Sequence, residues 1–151
     1  MNIRKTLWGI MVCVAALAAL TLTSCSLTGA TSEQARIGMF KDALNSGTVT
    51  DIMANFSSSM TQYSQMNTQS YWDGTPFAKA DGPFTITTSG TVTSDTTYSS
   101  DGTTESETIT NGSGNTYNVQ FWFTNPTNDN WIIRAFQYVG TSGTILLHNI
   151  H

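Results

Sequence analysis

The sequence predicts one α+β domain, in which N-terminal helices pack on a curved antiparallel β-sheet. Two observations predict this class. Apolar residues recur at helical spacing in the segment that begins near residue 31, and from Phe84 onward they alternate with polar residues. Clusters of Gly, Asn, Asp and Pro separate the alternating segments, which is typical of an antiparallel sheet with short connections.

Residues 1–24 have the composition of a secretory signal peptide. Arg4 and Lys5 provide the positive charge, an apolar run covers residues 7–22, and small residues lead to Cys25. The run is close to the shortest length that crosses a bilayer, so a retained transmembrane helix is the alternative interpretation. We predict export and cleavage.

The sequence at residues 22–25, Leu-Thr-Ser-Cys, resembles the lipobox of bacterial lipoproteins. The resemblance implies that the Cys25 thiol is diacylglycerated, that cleavage occurs before it, and that its new amino group is acylated. Two acyl chains are enough for stable membrane attachment. Ser26 is not the Asp that retains some lipoproteins in the inner membrane, which favours the outer membrane in a cell that has two.

Removing residues 1–24 from the 151-residue chain leaves 127 residues, enough for one domain with a core. We predict a lipidated tether over residues 25–31 and a single domain over residues 32–151. Four bases remain against ten acids, a net charge of −6, which argues against nucleic acid and anionic lipid as partners. Cys25 is then the one cysteine, so no disulfide within the chain and no cysteine metal site are expected.

The first helix is predicted to begin near Thr31 and to end at residues 45–47, Asn-Ser-Gly. Thr31 has the spacing of a capping box with Gln34. The second helix opens at Thr48 or Thr50. Its apolar stripe consists of Val49, Ile52, Met53 and Phe56, at i, i+3, i+4 and i+7.

Residues 60–82 contain large apolar groups without a firm period, and we predict a short helix or turn packed under a larger element. Four residues of this segment are candidates for lining the mouth of a ligand pocket. They are Tyr63, Tyr71, Trp72 and Asp73. The alternative is that these aromatic side chains only pack the connection between helices and sheet.

Strands are predicted over residues 116–124, 131–140 and 144–150, preceded by Ser/Thr-rich strands over residues 84–110. The Ser/Thr-rich segment carries four acids that could suggest a cation site. The acids are Asp95, Asp101, Glu105 and Glu107. Their spacing fits no calcium-binding loop, so we expect solvated side chains on an exposed hairpin and no metal.

The hairpin formed by residues 116–140 has two distinct predicted faces. Val119, Phe121 and Phe123 share the core face with Trp131, Ile133 and Ala135. The opposite face then holds Gln120, Trp122, Ile132, Arg134, Phe136 and Tyr138. Such a half-aromatic face requires a cover, so Trp122, Ile132, Arg134, Phe136 and Tyr138 are candidates for a subunit or partner contact. Arg134 could instead hold a ligand carboxylate.

The helix pair at residues 40–56 and the hairpin, with Asn-Trp-Ile-Ile at residues 130–133, resemble the NTF2-like domains of the cystatin-like group. The resemblance implies helices that close a cone formed by the sheet, a cavity for a small ligand or an active site, and dimers through the sheet. Enzymes of that family carry an Asp/His or Asp/Tyr pair in the cone. The histidines of this chain, His148 and His151, lie at its C-terminal end, so no catalytic residue is predicted.

The sequence therefore favours a lipid-anchored binding or interaction domain of the cell envelope, without catalytic activity or cofactor. Expected partners are the membrane, through the lipid, and a small ligand or an envelope protein. A homodimer through the sheet is the other expected contact. The alternatives are an NTF2-like enzyme that acts on a small apolar ligand in the cone, and a surface antigen or adhesin.

Overall fold

The helices precede the sheet along the chain, and the α+β class predicted from the sequence is confirmed. The computed structural model describes residues 29–95, 102–125, 130–140 and 143–148. The helices are α1 (Glu33–Ser46), α2 (Val49–Met53), α3 (Tyr63–Met66) and α4 (Gln69–Asp73), followed by a 3₁₀ turn at Lys79–Asp81. The strands are β1 (Thr85–Asp95), β2 (Gly102–Thr110), β3 (Thr116–Thr124), β4 (Ile132–Gly140) and β5 (Gly143–His148). No helix in these ranges is long and apolar enough to cross a membrane.

Helix α1 begins one residue later than the capping-box spacing predicted. Its N-cap is Ser32, whose hydroxyl accepts the Ala35 N–H at 3.1 Å. The predicted stripe of Ile37, Phe40 and Leu44 is buried against the sheet. The helix ends where Asn-Ser-Gly was expected to stop it.

Helix α2 opens at Thr48 with a reciprocal capping box. The Thr48 N–H donates to Asp51 Oδ2 at 2.6 Å, and the Asp51 N–H donates to the Thr48 hydroxyl at 3.4 Å. The backbone hydrogen bond from Thr48 lowers the pKa of Asp51. The helix stops at Met53, short of Phe56, because the next residues pair with the sheet: Ser57 N–H donates to the Ile133 carbonyl at 2.7 Å.

Arg36 and Asn45 fasten the two ends of α1 to the sheet. The buried Arg36 guanidinium donates to the Trp131 carbonyl at 2.6 Å and to Asn130 Oδ1 at 2.7 Å, and burial lowers the pKa of Arg36. Asn45 exchanges two hydrogen bonds with the backbone of Phe84, at 2.6 and 2.9 Å. Because these hydrogen bonds hold both ends of α1, the helix has a fixed position across the sheet.

The five strands form one antiparallel sheet in the order β1-β2-β3-β4-β5, so each strand pairs with its neighbours in sequence. We call the side that packs on the helices the inner face and the opposite side the outer face. The inner face carries a core built largely of aromatic rings. Phe136 contacts Phe40, Phe77 and Phe121 at centroid distances of 5.7, 5.6 and 5.2 Å.

The predicted register of the β3–β4 hairpin is wrong beyond Arg134. Phe121 pairs with Phe136, and the pairing shifts by one residue between Trp122 and Phe123, which pairs with Ile133. This β-bulge inserts an extra residue into β4, so the alternation of faces changes at the bulge. Phe136 and Tyr138 therefore lie on the inner face, 0% and 1% exposed, and not beside Trp122 as predicted.

The packed domain begins earlier than the predicted boundary at residue 32. Ala30 is fully buried, and its carbonyl accepts the Trp131 N–H at 2.9 Å in an isolated antiparallel bridge. Residues 29–30 were predicted to belong to the tether. They are part of the folded domain because they extend the sheet edge next to β4.

Candidate functional site

The four predicted pocket residues lie in the connection between helices and sheet, but they do not share one surface. Trp72 is a core residue, and its indole N–H donates to the Met66 carbonyl at 2.8 Å. Tyr63 and Tyr71 are half-buried, whereas Asp73 is exposed. The structure thus keeps the two tyrosines at the boundary of the core and separates Trp72 from Asp73.

Two tyrosines at this boundary, Tyr71 and Tyr138, have raised pKa values. Phe77 packs on Tyr138 and Tyr117 at centroid distances of 5.0 and 5.8 Å. Burial and then the nearby Tyr138 raise the pKa of Tyr71 to about 12. Burial and then Tyr117 raise the pKa of Tyr138. Tyr71 and Tyr138 are therefore neutral phenols near neutral pH, and such groups can both donate and accept hydrogen bonds.

Two buried polar atoms in the same segment have no hydrogen-bond partner among the described residues. They are the Tyr71 hydroxyl oxygen and Gln62 Oε1. Most buried polar atoms in proteins are paired, so an unpaired atom indicates a site for water or for a small polar group. This is the feature of the helical segment at residues 62–73 that favours a ligand.

The raised pKa of Tyr71 predicts a loss of stability at alkaline pH. The folded state holds the phenol proton more tightly than the unfolded chain. The contribution of Tyr71 to the free energy of unfolding is therefore fully present below pH about 10, its ordinary pKa, and is lost as the pH rises to about 12, its folded pKa. Urea midpoints between pH 9 and 12 measure this loss. Tyr71→Phe should flatten the profile, and Tyr63→Phe, the matched control, should leave it in place. Equal profiles for all three chains would contradict the prediction.

The acids of β2 are buried, contrary to the expectation of solvated side chains. Glu105 and Glu107 are 1% and 4% exposed and lie on the inner face, opposite Phe121 and Val119. Glu105 accepts hydrogen bonds from Gln34 at 3.2 and 3.4 Å. The sequence does indicate their burial. Glu105 and Glu107 lie four and two residues before the apolar Ile109, so all three share one face of the strand.

Glu105 on β2 and Glu33 on α1 fasten the start of α1 to the sheet. Thr103 donates to Glu33 at 2.9 Å, next to the contact between Gln34 and Glu105. Among the described residues, no group of three or more His, Cys, Asp or Glu side chains is placed to hold a metal ion. The arrangement is thus a set of side-chain hydrogen bonds between α1 and β2.

On β1, β2 and β3 the outer face of the sheet is rich in hydroxyl and amide groups. The register places one row of Thr85, Thr110 and Thr116 and a second row of Thr87, Thr108 and Asn118 across β1, β2 and β3. On these three strands, no outer-face side chain that the structure describes carries a charge. The polar residues of β2 therefore face outward while its acids face inward, because the two sets alternate along the strand.

Three of the five predicted contact residues remain at the outer side of the hairpin. Trp122, Ile132 and Arg134 are half-buried, and Arg134 is the residue of the bulge. Phe136 and Tyr138 are core residues, so their side chains cannot contact a partner from this position. The predicted aromatic patch is thus reduced to one indole and one aliphatic side chain within a polar surface.

Two further predicted features lie outside what the structure describes. Cys25 and the signal peptide precede the described residues. His148 lies on β5, where the backbone is described and the side chain is not, and His151 lies beyond it. Lipidation of Cys25 and the absence of a catalytic histidine both stay predictions.

Comparison of this chain with protein-family models, with curated proteins and with solved structures finds no match.

Proposed function

We propose that this chain is a lipid-anchored binding module of the cell envelope, without catalytic activity, whose partner contacts the outer face of the sheet. The observation that carries the proposal is the unequal use of the two faces. The inner face is occupied by packed rings, among them Phe40, Phe121 and Phe136, which contact one another at 5.2 to 5.8 Å. The outer face carries exposed polar side chains, among them Thr85, Thr87 and Asn118.

The anchor would hold the domain close to the membrane. Residues 29–30 already belong to the folded domain, and Ala30 is bonded to Trp131. Ala30 is the fifth residue after Cys25, and an extended chain spans at most about 18 Å over five residue steps. The lipid would thus place the Ala30–Trp131 edge next to the bilayer. An outer-membrane location, favoured by Ser26, is part of the same proposal.

The NTF2-like cone is a proposal about the shape of this α+β domain. Its support is the order of elements: helices first, then an antiparallel meander with the helices on its inner face. In such a cone the unpaired atoms of Tyr71 and Gln62 favour a second candidate function, a small-ligand site or an enzyme. A small molecule that co-purifies with the wild-type chain and is lost from Tyr71→Phe in native mass spectrometry would favour this candidate.

Site-specific photo-crosslinking in living cells tests the outer-face proposal. A photo-reactive residue at Gln120, on the outer face, should crosslink to an envelope component. The same residue at Gln65, an exposed position on α3, is the matched control and should not. A product of twice the chain's mass would identify the homodimer that the sequence suggested. Equal products from both positions, or none from Gln120, would contradict the proposal.

A further inference from the structure

We propose that the end of the sheet at Ala30 and Trp131 docks on the interfacial layer of a zwitterionic bilayer, so that β3 and β4 point away from the membrane. The inference rests on the proposed lipid anchor and adds the orientation of the domain. Its basis is the place where the chain from Cys25 enters the fold. Ala30 is fully buried and its carbonyl accepts the Trp131 N–H at 2.9 Å, so the chain enters directly beside the start of β4.

This entry point is held firmly by its neighbours. A Cβ on Gly29 would lie 2.7 Å from the side chain of Asn130, so the backbone packs closely against that residue. The buried Arg36 guanidinium donates to Asn130 Oδ1 at 2.7 Å and to the Trp131 carbonyl at 2.6 Å. The two residues that contact the entering chain are thus fastened to α1. Because the entry point is fixed to the sheet, the distance of this end from the lipid is limited by the chain length from Cys25.

The tether is short compared with the sheet. An extended chain spans at most about 18 Å over the five residue steps from Cys25 to Ala30. Strand β3 ends at Thr124, next to the start of β4, and begins at Thr116. At about 3.4 Å per residue, the two ends of this strand are roughly 27 Å apart. The lipid therefore keeps the Thr124 end near the bilayer, and the chemistry of the surface decides which part of the domain makes the contact.

The surface at the entry point is suited to the interfacial layer of a zwitterionic bilayer. Trp131 and Ile132 are half-buried, so part of each apolar side chain stays at the surface. Indole rings are enriched where hydrocarbon meets lipid headgroups, because the ring is apolar and its N–H is polar. The acids Glu33 and Asp95 lie at this end of the fold, and the described residues there form no cluster of exposed bases. Anionic headgroups would therefore not be attracted.

Fluorescence quenching on vesicles tests the orientation. After removal of residues 1–24 the chain has no free thiol beside the lipidated one, so a cysteine at Thr124 or Thr116 can carry a small fluorophore. The lipidated chain is purified in detergent and reconstituted into phosphatidylcholine vesicles with or without a nitroxide on the headgroups. We expect the nitroxide to remove most of the fluorescence of the Thr124→Cys label. Thr116→Cys, on the same strand and face, is the matched control and should keep nearly all of it, because the interfacial layer is only about 5–8 Å thick.

A longer tether tests the cause of the contact. A flexible Gly/Ser insert of about 20 residues between Thr28 and Gly29, with a span of roughly 25 Å, should restore most of the fluorescence at Thr124. Equal quenching at both positions, stronger quenching at Thr116, or full quenching at Thr124 despite the insert would each overturn the proposal. Mass spectrometry of the wild-type chain separates this failure from that of the proposed function. A chain without acyl groups on Cys25 overturns the anchor and the orientation together, whereas a lipidated chain quenched equally at both ends overturns the orientation alone.

Discussion

On the proposed lipid anchor, replacing Cys25 with serine is expected to abolish incorporation of labelled palmitate and to leave the signal peptide, residues 1–24, uncleaved. The reason is chemical: the thioether to diacylglycerol requires the cysteine sulfur, and the signal peptidase for lipoproteins cuts only after that lipid is attached. Each acyl methylene in the bilayer contributes about 0.8 kcal/mol, so the acyl chains supply the proposed attachment of the cleaved chain. Labelling in growing cells measures the first effect, and the larger size of the chain that keeps residues 1–24 measures the second.

The second cysteine of the sequence supplies a matched control. Cys13 lies within the apolar run of the signal peptide, so Cys13→Ser should leave palmitate incorporation and membrane attachment unchanged. Label retained by the Cys25→Ser chain would show that the lipobox resemblance is misleading. Membrane attachment without any label in the wild type would favour the alternative, a retained transmembrane segment.

Replacing Phe136 with alanine will lower the free energy of unfolding by about 3–5 kcal/mol, the usual cost of truncating a buried phenylalanine. The ring is fully buried and contacts Phe40, Phe56, Phe77 and Phe121, so its loss leaves a cavity lined by rigid rings. The loss is comparable to the whole stability of many domains, roughly 5–15 kcal/mol. Urea denaturation of the chain measures it.

Ile132→Ala is the control that tests the bulge. Without the bulge, Ile132 and Phe136 would share a face, as the sequence pattern predicted, and both substitutions would act on one surface. With it, Ile132 is half-buried on the outer side and its truncation should cost clearly less than that of Phe136. A large loss for Ile132→Ala together with a small one for Phe136→Ala would show that the observed register is wrong.

The elements with strong local signals were predictable. The stripe of Ile37, Phe40 and Leu44 identified α1, and the turn residues on either side of residues 116–124 gave β3 its observed bounds. Helix α2 was predicted too long, since Phe56 fits the apolar period of a helix but pairs with Ile133 instead. Periodicity measures which residues are buried and cannot tell whether a helix or the edge of a sheet buries them.

The site residues were harder to predict than the elements. Tyr63, Tyr71, Trp72 and Asp73 were recognised as one aromatic segment, but their separate environments depend on how α4 packs. Glu105 and Glu107 were assigned to solvent because charged residues are seldom buried. Their burial depends on the hydrogen bond from Gln34 and the pairing with β3, contacts between residues far apart in sequence.

The sequence by itself determined the α+β class, the main strands, the charge and the predicted export signal, because each is a property of composition or of local period. The tertiary structure decided which residues share a face. One extra residue at Arg134 moved Phe136 and Tyr138 into the core, and the alternation of β2 turned its acids inward and its hydroxyls outward. A strand changes face with every residue, so the identity of a surface depends on the register and its bulges, which only long-range pairing fixes.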